Sequence, residues 1–245
     1  MQKITVIQAP DKNHPFLILK KERGVPSAPL TESDCENAFS YAAELFPLLK
    51  EINGRKAVEH GLVHRLDTET EGLLLIAAIQ DFYDFIQQEQ AQGRFVKTYR
   101  AECILKKNNT ELLEGFPTCP VNEMIFNRKK FTVESYFRNF GKNQKQVRPV
   151  TKDSGKAALK KMGNARLYST EINLKSIDEN IINAECKIKA GYRHQVRCHL
   201  AWCNIPVIGD RLYNADVSES PLRFYATGLE FFNPVTGQKE EYIDK

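Results

Sequence analysis

No apolar run in this chain approaches the roughly 20 residues that a membrane-crossing helix needs, so no membrane partner is expected. The opening residues, MQKITVIQAPDK, lack the apolar core of a signal peptide. The six cysteines show neither a Cys-x-x-Cys pair nor a dense framework. Both absences point to reduced, mostly buried thiols in a cytoplasmic protein. Internal repeats and low-complexity tracts are missing as well, which leaves out solenoids and disordered tails. What remains is globular: 245 residues, 42% hydrophobic and 27% charged, long enough to bury a core without staples. Length alone allows one large domain or two small ones.

The charge is uneven. Net charge is +4 for the whole chain, but Phe126 to Arg166 holds twelve Lys or Arg against Glu134 and Asp153, a net +10, so the rest is −6. Phe126, Phe131, Tyr136, Phe137 and Phe140 are interleaved with these cations. Basic and aromatic residues together suit contact with a nucleic acid backbone and unpaired bases. A solvated face over an ordinary apolar core has the same composition.

In chain order, residues 4–8 and 16–20 read as strands. Thr31 with Asp34, or Ser33 with Glu36, offers a helix start. Apolar residues from Ala38 to Ile52 then recur at helical spacing, ending near Asn53-Gly54. Residues 62–64 and 73–78 read as strands, 81–92 as a helix and 95–105 as a strand. Further on, 123–126 and 131–137 read as strands and 141–155 as a mobile loop. Residues 182–190 alternate as a half-buried strand. Residues 195–203 read as a helix and 223–231 as the last strand.

One stretch, His60 to Ile76 (HGLVHRLDTETEGLLLI), gathers His64, Arg65, Asp67 and Thr68 just before Gly72 and an unbroken apolar run. That run suits a strand buried on both faces. Asp67 therefore belongs to a loop carried by a rigid sheet, where catalytic groups are commonly placed.

His64-Arg65-Leu66-Asp67 with Thr70, Gly72 and Leu73-Leu74-Leu75 resembles the catalytic-aspartate motif of the RluA-type pseudouridine synthases. Lys97-Thr98-Tyr99-Arg100-Ala101 resembles the family's tyrosine motif. Gly191 to Tyr213 (GYRHQVRCHLAWCNIPVIGDRLY) is similar to its third motif. Phe16 to Pro29 occupies the place of the first motif, without its usual proline after Lys21. Two further departures lie close to the site: Glu71 stands where serine is usual and could repel phosphate, and Tyr192-Arg193 replaces Arg-Thr.

The resemblance implies an α+β fold: a mixed, largely antiparallel bent sheet with flanking helices and a central cleft. It implies one catalytic domain over residues 1–245, with a candidate insertion at about 126–166 and no N-terminal S4-like domain. The implied activity is isomerisation of a uridine in ribosomal or transfer RNA by a cytoplasmic monomer. Asp67 is the catalytic carboxylate, as nucleophile or base, and Arg197 the cation that offsets its desolvation. Tyr99 lies beside the uracil. Arg65 fills the gap left by the flipped base, and His64, His194, Gln195 and Val196 line the substrate. Lys129, Lys130, Lys142 and Lys145 are candidates for the RNA backbone. The reaction is redox-neutral and consumes no outside nucleophile, so no cofactor and no metal are expected.

Two other classes remain open. A non-catalytic RNA-binding module would use the basic segment without needing Asp67, Tyr99 and Arg197 together. A metal-dependent hydrolase would use His60 and His64, four apart, with Asp67, His194 or His199. The Gly61-Leu62-Val63 spacer does not read as the helix that would aim both histidines at one ion.

Overall fold

Phe16–Lys21 and Glu71–Ala77 each carry an unbroken run of at least four apolar residues, and both runs are buried on both faces. They form the middle of a sheet in a computed structural model that describes residues 3–106, 112–121, 126–214 and 220–244. The chain divides into two compact units, Met1–Lys97 with Tyr225–Lys245, and Thr98–Phe224.

In the first unit, β1 (Ile4–Gln8), β2 (Phe16–Lys21) and β3 (Glu71–Ala77) are antiparallel neighbours. β3 then pairs in parallel with β9 (Phe224–Asn233), which also pairs antiparallel with β10 (Gln238–Ile243). The sheet is therefore mixed. Gly72 sits at the parallel contact with a φ of +132°. A Cβ there would collide with the Ala226 carbonyl oxygen, so only glycine lets β3 and β9 approach. Helix α1 (Ala38–Leu45) precedes β3, and α2 (Gln80–Ala91) follows it. Phe82 and Ile86 of α2 pack on Phe16, Leu75 and Phe231. Each such fully buried side chain stabilises the unit by about 1.5–3 kcal/mol.

The expected helix to Asn53 stops early. Phe46 leaves helical geometry at φ −132°, and Pro47–Glu51 forms a 3₁₀ turn instead, because proline brings no N–H to the ladder. The cap also differs: Asn37 accepts the Ser40 amide at 2.9 Å. Of the expected strand at 62–64, only a bridge from Leu62 to Ile76 forms.

The second unit orders its strands β4 (Val96–Ile104), β8 (Ile181–Ile188), β7 (Tyr168–Asp178), β5 (Lys130–Phe140) and β6 (Gln146–Val150). Helices α3 (Lys156–Lys160) and α4 (Gln195–Trp202) also belong to it. β8 alternates buried and half-exposed residues as its sequence predicts. Phe137, Val147, Tyr168, Cys198 and Tyr213 form the core under α4. Residues 141–155, expected as a loop, contain β6, which pairs with β5 from Phe140↔Gln146 to Tyr136↔Val150. β5 itself runs longer than expected, and the expected strand at 123–126 falls largely outside the described residues.

Candidate active site

In the first unit, the loop from His64 to Thr70 is fastened on both sides of Asp67. The Ser27 hydroxyl donates to Leu66 O at 2.8 Å and accepts the Leu66 amide at 2.9 Å. Thr68 O accepts the Gly24 amide at 2.9 Å and the Lys21 ammonium at 3.1 Å. Lys21 is fully buried and also donates to Val25 O at 2.7 Å and Glu22 O at 3.0 Å. Burial pushes its pKa down to about 8, and Asp67 leads the nearby carboxylates that oppose the fall. The Thr70 amide donates to Asp67 O at 3.0 Å, closing the turn, while the Asp67 side chain stays partly exposed. From the sequence, the segment before α1 is placed only at the position of the family's first motif. Ser27, Gly24 and Lys21 are the groups that fix where Asp67 sits.

His64 lies inside the core. Its Nε2 accepts the Leu75 amide at 3.2 Å, and its ring meets Phe95 edge-on at 5.5 Å. A backbone amide can only donate, so Nε2 carries no proton. Burial, helped by the Lys97 charge, holds the imidazole pKa well below its ordinary value, which puts the neutral ring's proton on Nδ1. The side chain expected to line the substrate therefore packs Asp67's loop onto β3.

Arg65 points out and donates through Nη1 to Glu59 Oε1 at 3.0 Å. Glu59 is buried and also faces Lys56 at 3.4 Å. Glu71, expected as a repulsive group, is paired with Lys20 at 3.2 Å, and Lys20 in turn with Asp244 at 3.0 Å. Its charge is thereby offset. His60 stacks on Phe39 at 5.3 Å with φ +42°, so it does not share a helix with His64. Among the described residues, no three His, Cys, Asp or Glu side chains gather as a metal site.

In the second unit, Tyr99 projects from β4, nearly buried, and stacks on Phe224 at 5.1 Å with the rings 2° from parallel. His194 takes a left-handed conformation at φ +56° to start α4, and its Nδ1 shares a hydrogen bond with the Tyr213 hydroxyl at 3.1 Å. Gln195 is buried. Its Oε1 accepts the Tyr192 amide at 2.9 Å and its Nε2 reaches Ser169 O at 3.0 Å and Thr170 Oγ1 at 3.1 Å. It orders the start of the helix. Val196 is buried, as is Arg197. Arg197 grips Asp210 through Nε and Nη2, both at 2.7 Å, with its guanidinium 5.5 Å from the Tyr213 ring centre. The Gly209-Asp210-x-x-Tyr213 stretch carried this partner in plain sight, but nothing in its spacing assigned it to Arg197. His199 is buried against Thr170 Oγ1 at 2.8 Å and Ser135 Oγ at 2.9 Å, and burial lowers its pKa to about 3.

The four candidate backbone lysines are all exposed but do not form one patch. Lys129 and Lys130 stand at the start of the eleven-residue β5, and Lys142 and Lys145 beyond its end, roughly 30 Å away at about 3.3 Å per residue. Among the interleaved aromatics, Phe131 and Phe137 are core, while Tyr136 and Phe140 are partly exposed.

A family model described as RNA pseudouridylate synthase matches residues 15–202. Ribosomal large subunit pseudouridine synthase D of Borreliella burgdorferi is 27% identical over 80% of this chain and 51% of its own length. An uncharacterized RNA pseudouridine synthase of Aquifex aeolicus is 26% identical over 87% of this chain and 60% of its own. The tRNA pseudouridine(31) synthase of Saccharomyces cerevisiae is 25% identical over 85% and 46%. The chain thus spans about half to three-fifths of these relatives. Among solved structures, human RNA pseudouridylate synthase domain containing 1 is similar with a TM-score of 0.65 at 14% identity, covering 99% of this chain and 83% of that one. Human RNA pseudouridylate synthase domain containing 4 gives 0.64 at 19%, covering 97% and 87%. At these identities the structural likeness speaks to the fold.

Proposed function

Because the chain belongs to the RNA pseudouridylate synthase family, in its RluA-type branch, we propose that it isomerises a uridine of ribosomal or transfer RNA to pseudouridine, with Asp67 as the catalytic carboxylate. The reaction breaks the N1–C1′ bond, forms a C5–C1′ bond and, in net terms, takes the proton from C5 while N1 gains one. Nothing is oxidised, and no outside nucleophile enters. A carboxylate beside the sugar of a flipped nucleotide is the group this chemistry needs. The observation that carries the reading is the pinning of Leu66 and Thr68, on either side of Asp67, by Ser27, Gly24 and Lys21. A carboxylate must be preorganised to act, and a turn capped only by solvent would not be built this way.

Arg197 is assigned as the cation that keeps Asp67 ionised in a dry site, on the motif pattern. Asp210 fixes its guanidinium plane. Tyr99 is assigned to the uracil ring, with Phe224 holding its orientation. Arg65, exposed at the end of a buried carboxylate, is the side chain assigned to the vacated base position. A cytoplasmic location is proposed for it as well.

The test is pseudouridine formation on bulk ribosomal and transfer RNA by purified protein, with Asp67→Asn beside it. Turnover by the native chain and none by the variant, at an unchanged melting temperature, is expected. Turnover by a well-folded Asp67→Asn protein would remove the mechanism, and RNA binding without any turnover by the native chain would leave only a binding module.

A further inference from the structure

β5 changes partners along its length. Lys130 to Ser135 pair with β7, and Tyr136 to Phe140 pair with β6. The second half is thus a hairpin whose turn holds Lys142 and Lys145. On one face of this hairpin, Arg138 and Arg148 are direct register partners. Like charges placed opposite each other across two strands repel, so this pairing needs compensation.

The protein supplies only part of it. Arg148 is buried, donates from Nε to Glu114 O at 2.7 Å and from Nη1 to Val147 O at 3.0 Å, and lies over Phe140 at 4.2 Å and Phe116 at 4.8 Å. Arg138 lies over the same Phe140 ring at 4.9 Å and donates from Nη2 to Gly115 O at 3.3 Å. Its Nε is buried with no acceptor among the described residues. Carbonyl dipoles and ring faces soften the two charges without cancelling them.

Arg193 joins the same end. Its Nη2 meets Gln144 O at 2.6 Å, Asn139 Oδ1 at 2.9 Å and Gln146 O at 3.2 Å. It therefore straps the hairpin turn to the residue just ahead of His194 and α4. Five cations, Arg138, Lys142, Lys145, Arg148 and Arg193, then share this end, and among the described residues none forms an ion pair with a carboxylate. Lys20, Arg65, Lys175, Arg197 and Lys239 are paired elsewhere, while Lys50, Lys160 and Lys161 form no ion pair among the described residues either, so what marks this end is the direct opposition of Arg138 and Arg148.

We propose that this hairpin end binds the phosphodiester backbone of the substrate RNA, with Arg138, Lys142 and Lys145 as the contacts and Arg193 as the positioning residue. The proposal rests on the RNA-modifying reading above and narrows the basic segment to one end of β5. Phosphate supplies the missing countercharge, and Phe140 offers an apolar ring beside it for an unpaired base. Because Arg193 lies in the third motif, two residues before α4, the bound strand is held in register with the helix that carries Arg197.

Binding of a labelled twenty-nucleotide oligouridine is measured against salt for the native chain and for Arg138→Gln/Lys142→Ser/Lys145→Ser. Three lost contacts at roughly 0.7 each flatten the log–log slope by about 2, and affinity falls at least tenfold at 0.1 M salt. Lys142→Glu/Lys145→Glu, at exposed turn positions, should weaken binding further without touching the fold, which covers the case in which Arg138→Gln unfolds. Lys175→Ser, removing a cation already paired with Glu185, is expected to leave the slope within error. Arg193→Gln should raise the half-saturating RNA concentration in single turnover severalfold while leaving the rate at saturation unchanged. Equal slopes for the native and triple variants would overturn the proposal. So would a larger loss from Lys129→Ser/Lys130→Ser at the other end of β5, or an Arg193→Gln protein that loses rate and not affinity. Absence of pseudouridine formation by the native chain would refute the enzymatic reading alone, since the binding arms do not depend on turnover.

Discussion

Lys21 shows how a single side chain can support the candidate active-site loop at a cost to stability. Its ammonium is dehydrated and held by three carbonyls, one of them next to Asp67. The folded pKa of about 8 lies below the ordinary value of 10.5, so the unfolded chain binds this proton more tightly. Below about pH 8 the charge is present in both states and the fold bears its burial. Between about pH 8 and 10.5 the folded state releases the proton first, and stability from this group rises with pH, by about 3 kcal/mol across the window at 1.36 kcal/mol per unit. Urea unfolding at pH 7.5 and 10.5 should therefore show the native chain gaining on Lys21→Met by that order. A difference that stays flat between the two pH values would mean Lys21 is not a buried charge. The sequence disclosed Asp67 but not this support. A lysine after Phe16-Leu17-Ile18-Leu19 looks like a strand end, and the carbonyls that hold it come from residues up to 47 positions away.

At the scale of elements, legibility followed how local the cause was. β3 and β8 were readable because an unbroken apolar run and a strict alternation are properties of a few neighbouring residues. The stop of α1 was readable in principle from Pro47, yet apolar spacing across it was given more weight than the missing N–H. β6 was unreadable for a different reason. Gln146-Val147-Arg148-Pro149-Val150 has a charge and a proline at its centre, and it becomes a strand only because Phe116 and Phe140 cover the Arg148 guanidinium. The tie between α4 and the 206–213 turn is of the same long-range kind. Arg197 and Asp210 are both buried, and Asp210 Oδ1 also accepts the Leu212 amide at 2.9 Å and the Tyr213 amide at 3.2 Å. Asp210→Asn takes one anion from a buried guanidinium, which costs about 3–5 kcal/mol. It should also lower pseudouridine formation at temperatures where the variant is still folded, because Arg197 loses its fixed plane. Denaturant melts with activity at 15 °C check both parts, and a loss under 1 kcal/mol would show that the pair is not the tie described.

For the whole molecule, each of the two units carries the same vulnerability. Each buries a neutral histidine: His64 against β3 in the first, His199 under β5 and β7 in the second. Burial depresses both pKa values, His199 to about 3 and His64 well below its ordinary 6.5. A depressed histidine favours the fold while it is neutral, above the unfolded pKa. As pH falls below 6.5 the unfolded chain takes up a proton that the folded one refuses, and stability drops until the folded pKa is reached. For His199 the loss is about 2 kcal/mol by pH 5, and His64 acts in the same direction. Against a typical total of about 5–15 kcal/mol, that is enough to start acid unfolding well above the range where carboxylates titrate. Hydrogen exchange at pH 7, 6 and 5 reads the units separately, on β3 amides for one and α4 amides for the other. Protection should fall in both as pH drops. His199→Gln, whose amide retains a donor and an acceptor for Thr170 and Ser135, should flatten the fall on α4 and leave that on β3 unchanged. An α4 pH dependence that survives His199→Gln would assign the acid sensitivity to other groups.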